Sequence, residues 1–192
     1  MIRGRLAALV LSGLLATPLP VAAGQTASEE VAWTRQQAEQ GDADAQYLLG
    51  LRYSFGHEVL QNDVEASSWY RKAADQDHVA AQFHLGFMYD FGQGVPQDDA
   101  QAMAWYRKAA DRGHTSAQAN LSVMYSTGQG VPRNYVEAYK WRDLVASLTD
   151  GEAWEQAEDA RDALAKEMTT EQVVEGQRLA REWLMVFAAR QE

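Results

Sequence analysis

The chain has 192 residues, a formal charge of −10, 46% hydrophobic residues and no cysteine. That hydrophobic share excludes a wholly disordered acidic chain, and the missing cysteines exclude disulfides, thiolate metal sites and a catalytic thiol. The acidic balance argues against nucleic acid as a partner, because gripping a phosphate backbone draws on clustered Lys and Arg.

Arg3 and Arg5 precede an apolar run from Leu6 to Leu15, followed by Pro18, Pro20 and the small-residue stretch Val21-Ala22-Ala23. The run has about half the length that a bilayer span requires. Residues 1–23 therefore read as a cleavable signal peptide, with cleavage expected after Ala23 and a periplasmic or secreted mature chain that has no stable membrane insertion. Loss of Arg3 and Arg5 takes the charge from −10 to −12.

A period of thirty-six residues organises the remainder of the chain. Ala45-Gln46, Ala81-Gln82 and Ala117-Gln118 keep this step, as do Leu49, Leu85 and Leu121, then Tyr53, Tyr89 and Tyr125, then Gly56, Gly92 and Gly128. Trp69, Trp105 and Trp141 repeat it, with Trp33 one step earlier. Apolar residues recur at three and four, as in Ala45, Leu49, Tyr53 and in Ala66, Trp69, Tyr70, Ala73, which is helix spacing. Each unit is thus a helix pair, and the full repeats run at about 45–80, 81–116 and 117–152 within an array spanning 26–168. Asn62, Asp98 and Asn134 are predicted N-caps of the second helices, paired in capping boxes with Glu65, Gln101 and Glu137, and Thr26 with Glu29 occupies the same slots. Asp42, His78, His114 and Asp150 precede the first helices as caps. Gly50 and Gly86, with Ser122 in the third unit, are predicted to let a neighbouring helix approach closely. At the end, Thr169 and Gln172 form another capping box, and residues 169–192 read as a capping helix from Thr170 to about Ala189 that closes the stack through Trp183, Leu184, Val186 and Phe187. Docking of that helix on another chain is the alternative.

The segments Ala81 to Pro96 and Trp105 to Ala110 closely resemble the Sel1-like repeat, a relative of the tetratricopeptide repeat. The first copy departs from the pattern at Glu58 and Leu60, the third at Ser122 and Arg142. The resemblance implies an all-α fold, a right-handed α/α superhelical solenoid, and an adaptor used for protein contacts.

His78 and His114 share a slot with Asp42 and Asp150, so capping explains them better than metal ligation, and His57 and His84 fall in other slots. Glu155, Asp159 and Asp162 share a solvated helix face, and no nucleophile motif or phosphate loop occurs. The reading is therefore an adaptor without cofactor, metal or catalytic activity. Partner choice must lie where the repeats differ. One stripe of the first helices carries Tyr47, Leu51 and Ser54, then Phe83, Phe87 and Asp90, then Ala119, Val123 and Ser126. On the concave side that the tetratricopeptide likeness implies, the stripe forms an apolar groove for a peptide or helix, with Asp90 drawing a basic segment of another protein. Alternatively, Phe83 and Phe87 pack internally or lie under the C-terminal helix. A secreted factor that binds a host protein, or an enzyme acting on cell wall or β-lactams as proposed for cysteine-rich relatives, are the competing functions.

Overall fold

The computed structural model describes residues 27–190; the expected signal peptide and the Thr26 cap lie outside the described residues. Among the described residues there are nine helices and no strand: α1 Ala27–Glu39, α2 Ala43–Phe55, α3 Asp63–Ala74, α4 Val79–Phe91, α5 Asp99–Asp111, α6 Thr115–Thr127, α7 Tyr135–Leu148, α8 Gly151–Ala165 and α9 Thr170–Ala189. The chain is an all-α solenoid in which α2/α3, α4/α5 and α6/α7 are the three full units and each helix from α1 to α7 packs on the next.

Local hydrogen bonds explain where the helices begin and end. Asn62, Asp98 and Asn134 accept from backbone N–H groups of the first turn, as expected of short polar caps. The reciprocal half of the expected capping box is missing in these three, because each cap residue's own N–H is already donated to the carbonyl of Tyr53, Tyr89 or Tyr125. Helix α9 does complete the box, between Thr169 and Gln172. Asp42, His78 and His114 cap α2, α4 and α6, the two histidines accepting through Nδ1 at 3.1 and 3.3 Å. Asp150 makes no such bond to α8, which corrects the fourth expected cap.

The repeated Gln also has a structural task. Gln46, Gln82 and Gln118 donate Nε2 to the carbonyls of Ala38, Ala74 and Ala110, so a buried amide adds a second donor to a carbonyl at the end of the preceding helix that already accepts the N–H of Gly41, Asp77 or Gly113. Arg35, Arg71 and Arg107 donate to the hydroxyls of Tyr53, Tyr89 and Tyr125 eighteen residues on. At the last junction the polarity is exchanged: Asp143 takes the Arg slot and Arg161 the Tyr slot, and the two pair at 3.6 Å. This pairing makes α8 the first helix of a fourth, incomplete unit.

Close approach within the pairs occurs where expected. A β-carbon on Gly86 would stand 2.7 Å from the Tyr106 ring, and one on Gly50 would stand 2.6 Å from Tyr70. The tryptophans form the seams between units, Trp69 with Ala38, Ala45 and Leu49, and Trp105 with Ala66, Tyr70 and Leu85. Trp33 has no described unit ahead of it and remains 57% exposed.

Helix α9 closes the array by lying along α7 instead of pairing with α8. Gly176 meets the Tyr139 ring, Trp183 sits edge-on to Trp141, and Phe187 reaches Gly113 in the turn between α5 and α6. Trp141 consequently becomes fully buried, whereas Trp69 and Trp105 keep a little exposure. No described helix is long and apolar enough to cross a membrane.

Candidate partner-binding face

The stripe singled out in the sequence divides in two. Tyr47 and Phe83 are engaged internally: Tyr47 stacks on His78 at 4.5 Å, and Phe83 stacks on His114 at 4.5 Å, each ring covering the cap of the next unit. His84 links the two stacks, 5.7 Å from Tyr47 and 5.4 Å from Phe83. Burial, and to a lesser degree His114, lowers the His84 pKa to about 4, and burial also lowers that of His114. In the third unit Ala119 replaces the ring, and the cap slot it would have covered holds Asp150, which does not cap. Leu51 is half-buried against the seam of the second unit, and Ser54 lies in the slot one helical turn farther along α2.

Phe87, Asp90 and Val123 instead converge on an open cavity of about 460 Å³ between α4 and α6. Phe91, Asn120, Met124, Gln97 and Gln129 complete its lining. The Phe87 and Phe91 rings lie 4.4 Å apart, and Phe91 and Val123 are 60% and 46% exposed, so the apolar wall is open to a ligand. The Asp90 carboxylate is held from both sides. Tyr106 donates its hydroxyl to Oδ2 at 3.2 Å, and Gln129 donates Nε2 to Oδ1 at 2.7 Å while also reaching Asp99 at 3.1 Å. Burial and the adjacent carboxylate raise the Tyr106 pKa well above the ordinary phenol value, which keeps it a donor. Among the described residues no Lys or Arg pairs with Asp90. Ser126, in the corresponding slot of α6, faces a second cavity toward α8 and does not join this one.

The sequence stripe omits Phe91, Asn120 and Gln129, and it omits the bridging His84, which the sequence marked only as lying outside the cap slot. Phe91 carried a usable signal, since a large apolar residue directly before the left-handed cap Gly92 has no helix below it to cover it. Gln129 carried none, because its meeting with Asp90 joins the loop after α6 to helix α4 of the preceding unit. Among the described residues no group of three or more His, Asp or Glu is placed to hold a metal ion.

The sequence matches the Sel1 repeat over residues 43–78, 79–114 and 115–141. The chain belongs to the Sel1 repeat family. Its structure is similar to that of a protective antigen present in uropathogenic Escherichia coli strains displaying an SLR fold, with TM-score 0.74 and 33% identity over 86% of this chain. This chain spans 34% of that antigen's length. A Sel1 repeat protein from Oxalobacter formigenes is similar with TM-score 0.61 and 35% identity, over 68% of this chain and 98% of that one. No curated protein matches. Sel1 repeats are a fold of protein–protein contacts, typically without catalysis, so the cavity between α4 and α6 sits in a scaffold of an interaction family.

Proposed function

We propose that this Sel1 repeat protein is a non-catalytic adaptor of the bacterial cell envelope, exported by residues 1–23, that holds a basic segment of another protein along α2, α4 and α6. The observation that carries this reading is the Asp90 cavity. Its carboxylate is fixed by Tyr106 and Gln129, has no cation from the described residues, and lies beneath a wall of Phe87, Phe91 and Val123. Such a pocket suits the side chain of Arg or Lys, whose stem packs on the rings while the cation meets the carboxylate. Two lone-pair directions of Asp90 remain for that cation. Tyr47 and Phe83 stiffen the face, and Leu51 and Val123 extend its apolar surface.

The test is photo-crosslinking in the native cell from position 91, followed by mass spectrometry, with Phe87→Ala/Asp90→Asn as the variant. Capture of one protein through an Arg- or Lys-bearing segment, lost in the variant, supports the reading. A folded variant that keeps every crosslinked partner overturns it. A second reading places the partner in a host, and it is favoured by the likeness to the uropathogenic protective antigen. Fractionation of the mature protein separates the two, since host binding requires release or surface display.

A further inference from the structure

The third unit breaks its pattern at two touching slots. Where Gly50 and Gly86 let Tyr70 and Tyr106 lie against bare backbone, α6 has Ser122 and α7 has Arg142. The Ser122 hydroxyl donates to the Ala138 carbonyl at 2.7 Å. Arg142 lines a cavity of about 290 Å³ between α6, α7 and α8, walled by Val123, Ala160, Ala163 and Leu164. Its Nε is buried without a hydrogen-bond partner, and among the described residues no carboxylate pairs with it. Glu167 borders the same cavity and does not reach it. Arg161 on the neighbouring helix is by contrast tied to Asp143 and Glu158.

A guanidinium remains protonated throughout the physiological range, and Arg142 is partly exposed with its Nε buried, so leaving that N–H without an acceptor is costly. A planar oxyanion relieves that cost with two parallel hydrogen bonds. The aliphatic walls suit a carboxylate on a hydrocarbon stem, whereas a phosphate requires more donors than one guanidinium supplies. We propose that Arg142 is the receptor for a carboxylate of the same partner segment whose cation enters the Asp90 cavity. This inference rests on the proposed partner-binding face, because Val123 is a wall of both cavities and puts receptors of opposite charge on either side of one residue.

The test is NMR of the arginine Nε–Hε signals, with Arg142 assigned through its loss in Arg142→Gln. N-acetyl-leucine is the terminal-carboxylate probe, N-acetyl-aspartate N-methylamide the side-chain probe, and N-acetyl-leucinamide the uncharged control. We expect a saturable shift of the Arg142 signal with a carboxylate and none with the amide, and binding weakened roughly tenfold or more in Arg142→Gln as read from the Val123 methyl signals of the same cavity. The tighter of the two acids tells a chain terminus from an Asp or Glu side chain. Arg142→Lys, which keeps the charge without the planar fork, gives the same loss if the Gln variant does not fold. An Arg142 signal unmoved by both acids at millimolar concentrations, or moved equally by the amide, overturns the proposal. Asp90→Asn separates it from the adaptor reading: carboxylate binding then persists while capture of the basic segment is lost.

Discussion

Leu144→Lys places in the third unit the residue that the first two already carry. Lys72 and Lys108 hold their Nζ 3.6 and 3.7 Å from the ring centroids of Trp69 and Trp105, at the protein surface. Leu144, in the same slot, is fully buried in one cluster with Trp141 and Ala180 of α9. A lysine there forces a choice. If α9 stays, an uncompensated charge is buried, at roughly 3–5 kcal/mol. If α9 leaves, Ala180 and the half-buried Trp183, Leu184 and Phe187 go to water, which forfeits ~3–4 kcal/mol at about half the value of full burial. The routes cost roughly 3–5 and ~3–4 kcal/mol, nearly the same, and the second preserves the rest of the array. Hydrogen exchange of the α9 amides and tryptic cleavage after Arg178 and Arg181 read the release, and urea unfolding reads the loss of stability. Leu144→Met, which keeps volume and polarity, is expected to cost below about 1.5 kcal/mol and leave α9 protected. A lysine variant with wild-type protection of α9 and an unchanged midpoint refutes the reasoning.

Acidification should destabilise the protein through the buried histidines. With His84 lowered from 6.5 to about 4, the unfolded chain binds the proton first, so its contribution is complete above pH 6.5 and is lost on falling toward pH 4. The loss is on the order of 3 kcal/mol, with His114 acting in the same direction, and urea midpoints across this range should fall less steeply in His84→Gln; parallel curves would contradict it. Gly94→Ala puts a β-carbon 2.0 Å from the Asp63 carbonyl oxygen at φ +66°, whereas Gly128→Ala at φ +82° meets nothing nearer than 3.5 Å. Thermal unfolding should cost the first ~3 kcal/mol and the second ~1 kcal/mol, and equal losses would show that the contact is not what matters. Gln82→Leu removes the second donor from the buried Ala74 carbonyl, which keeps the Asp77 N–H, and should cost about 1 kcal/mol in denaturant titration, which a neutral result would refute.

The helix pairs, their caps and the Trp seams are legible in the sequence because a repeat imposes the same short-range problem three times. A cap must satisfy an N–H three residues away, and a glycine must stand where the next helix presses, so Asn62, His78 and Gly86 announce themselves by recurrence. The reciprocal capping bonds fail to form for a tertiary reason, the Tyr carbonyls that already hold the cap N–H groups. The stripe is legible as a set of differing residues, while the uses of its members are not. Tyr47 and Phe83 stack on a histidine thirty-one residues on, and Asp90 meets Gln129 thirty-nine residues on. Spacing within one helix carries no information about such distances. The substitutions of Leu144 for Lys and Arg142 for Tyr are visible as departures from the pattern. Only the folded chain decides that the first receives α9 and the second faces a cavity, because each outcome depends on which helix arrives from elsewhere to fill or leave the adjoining space.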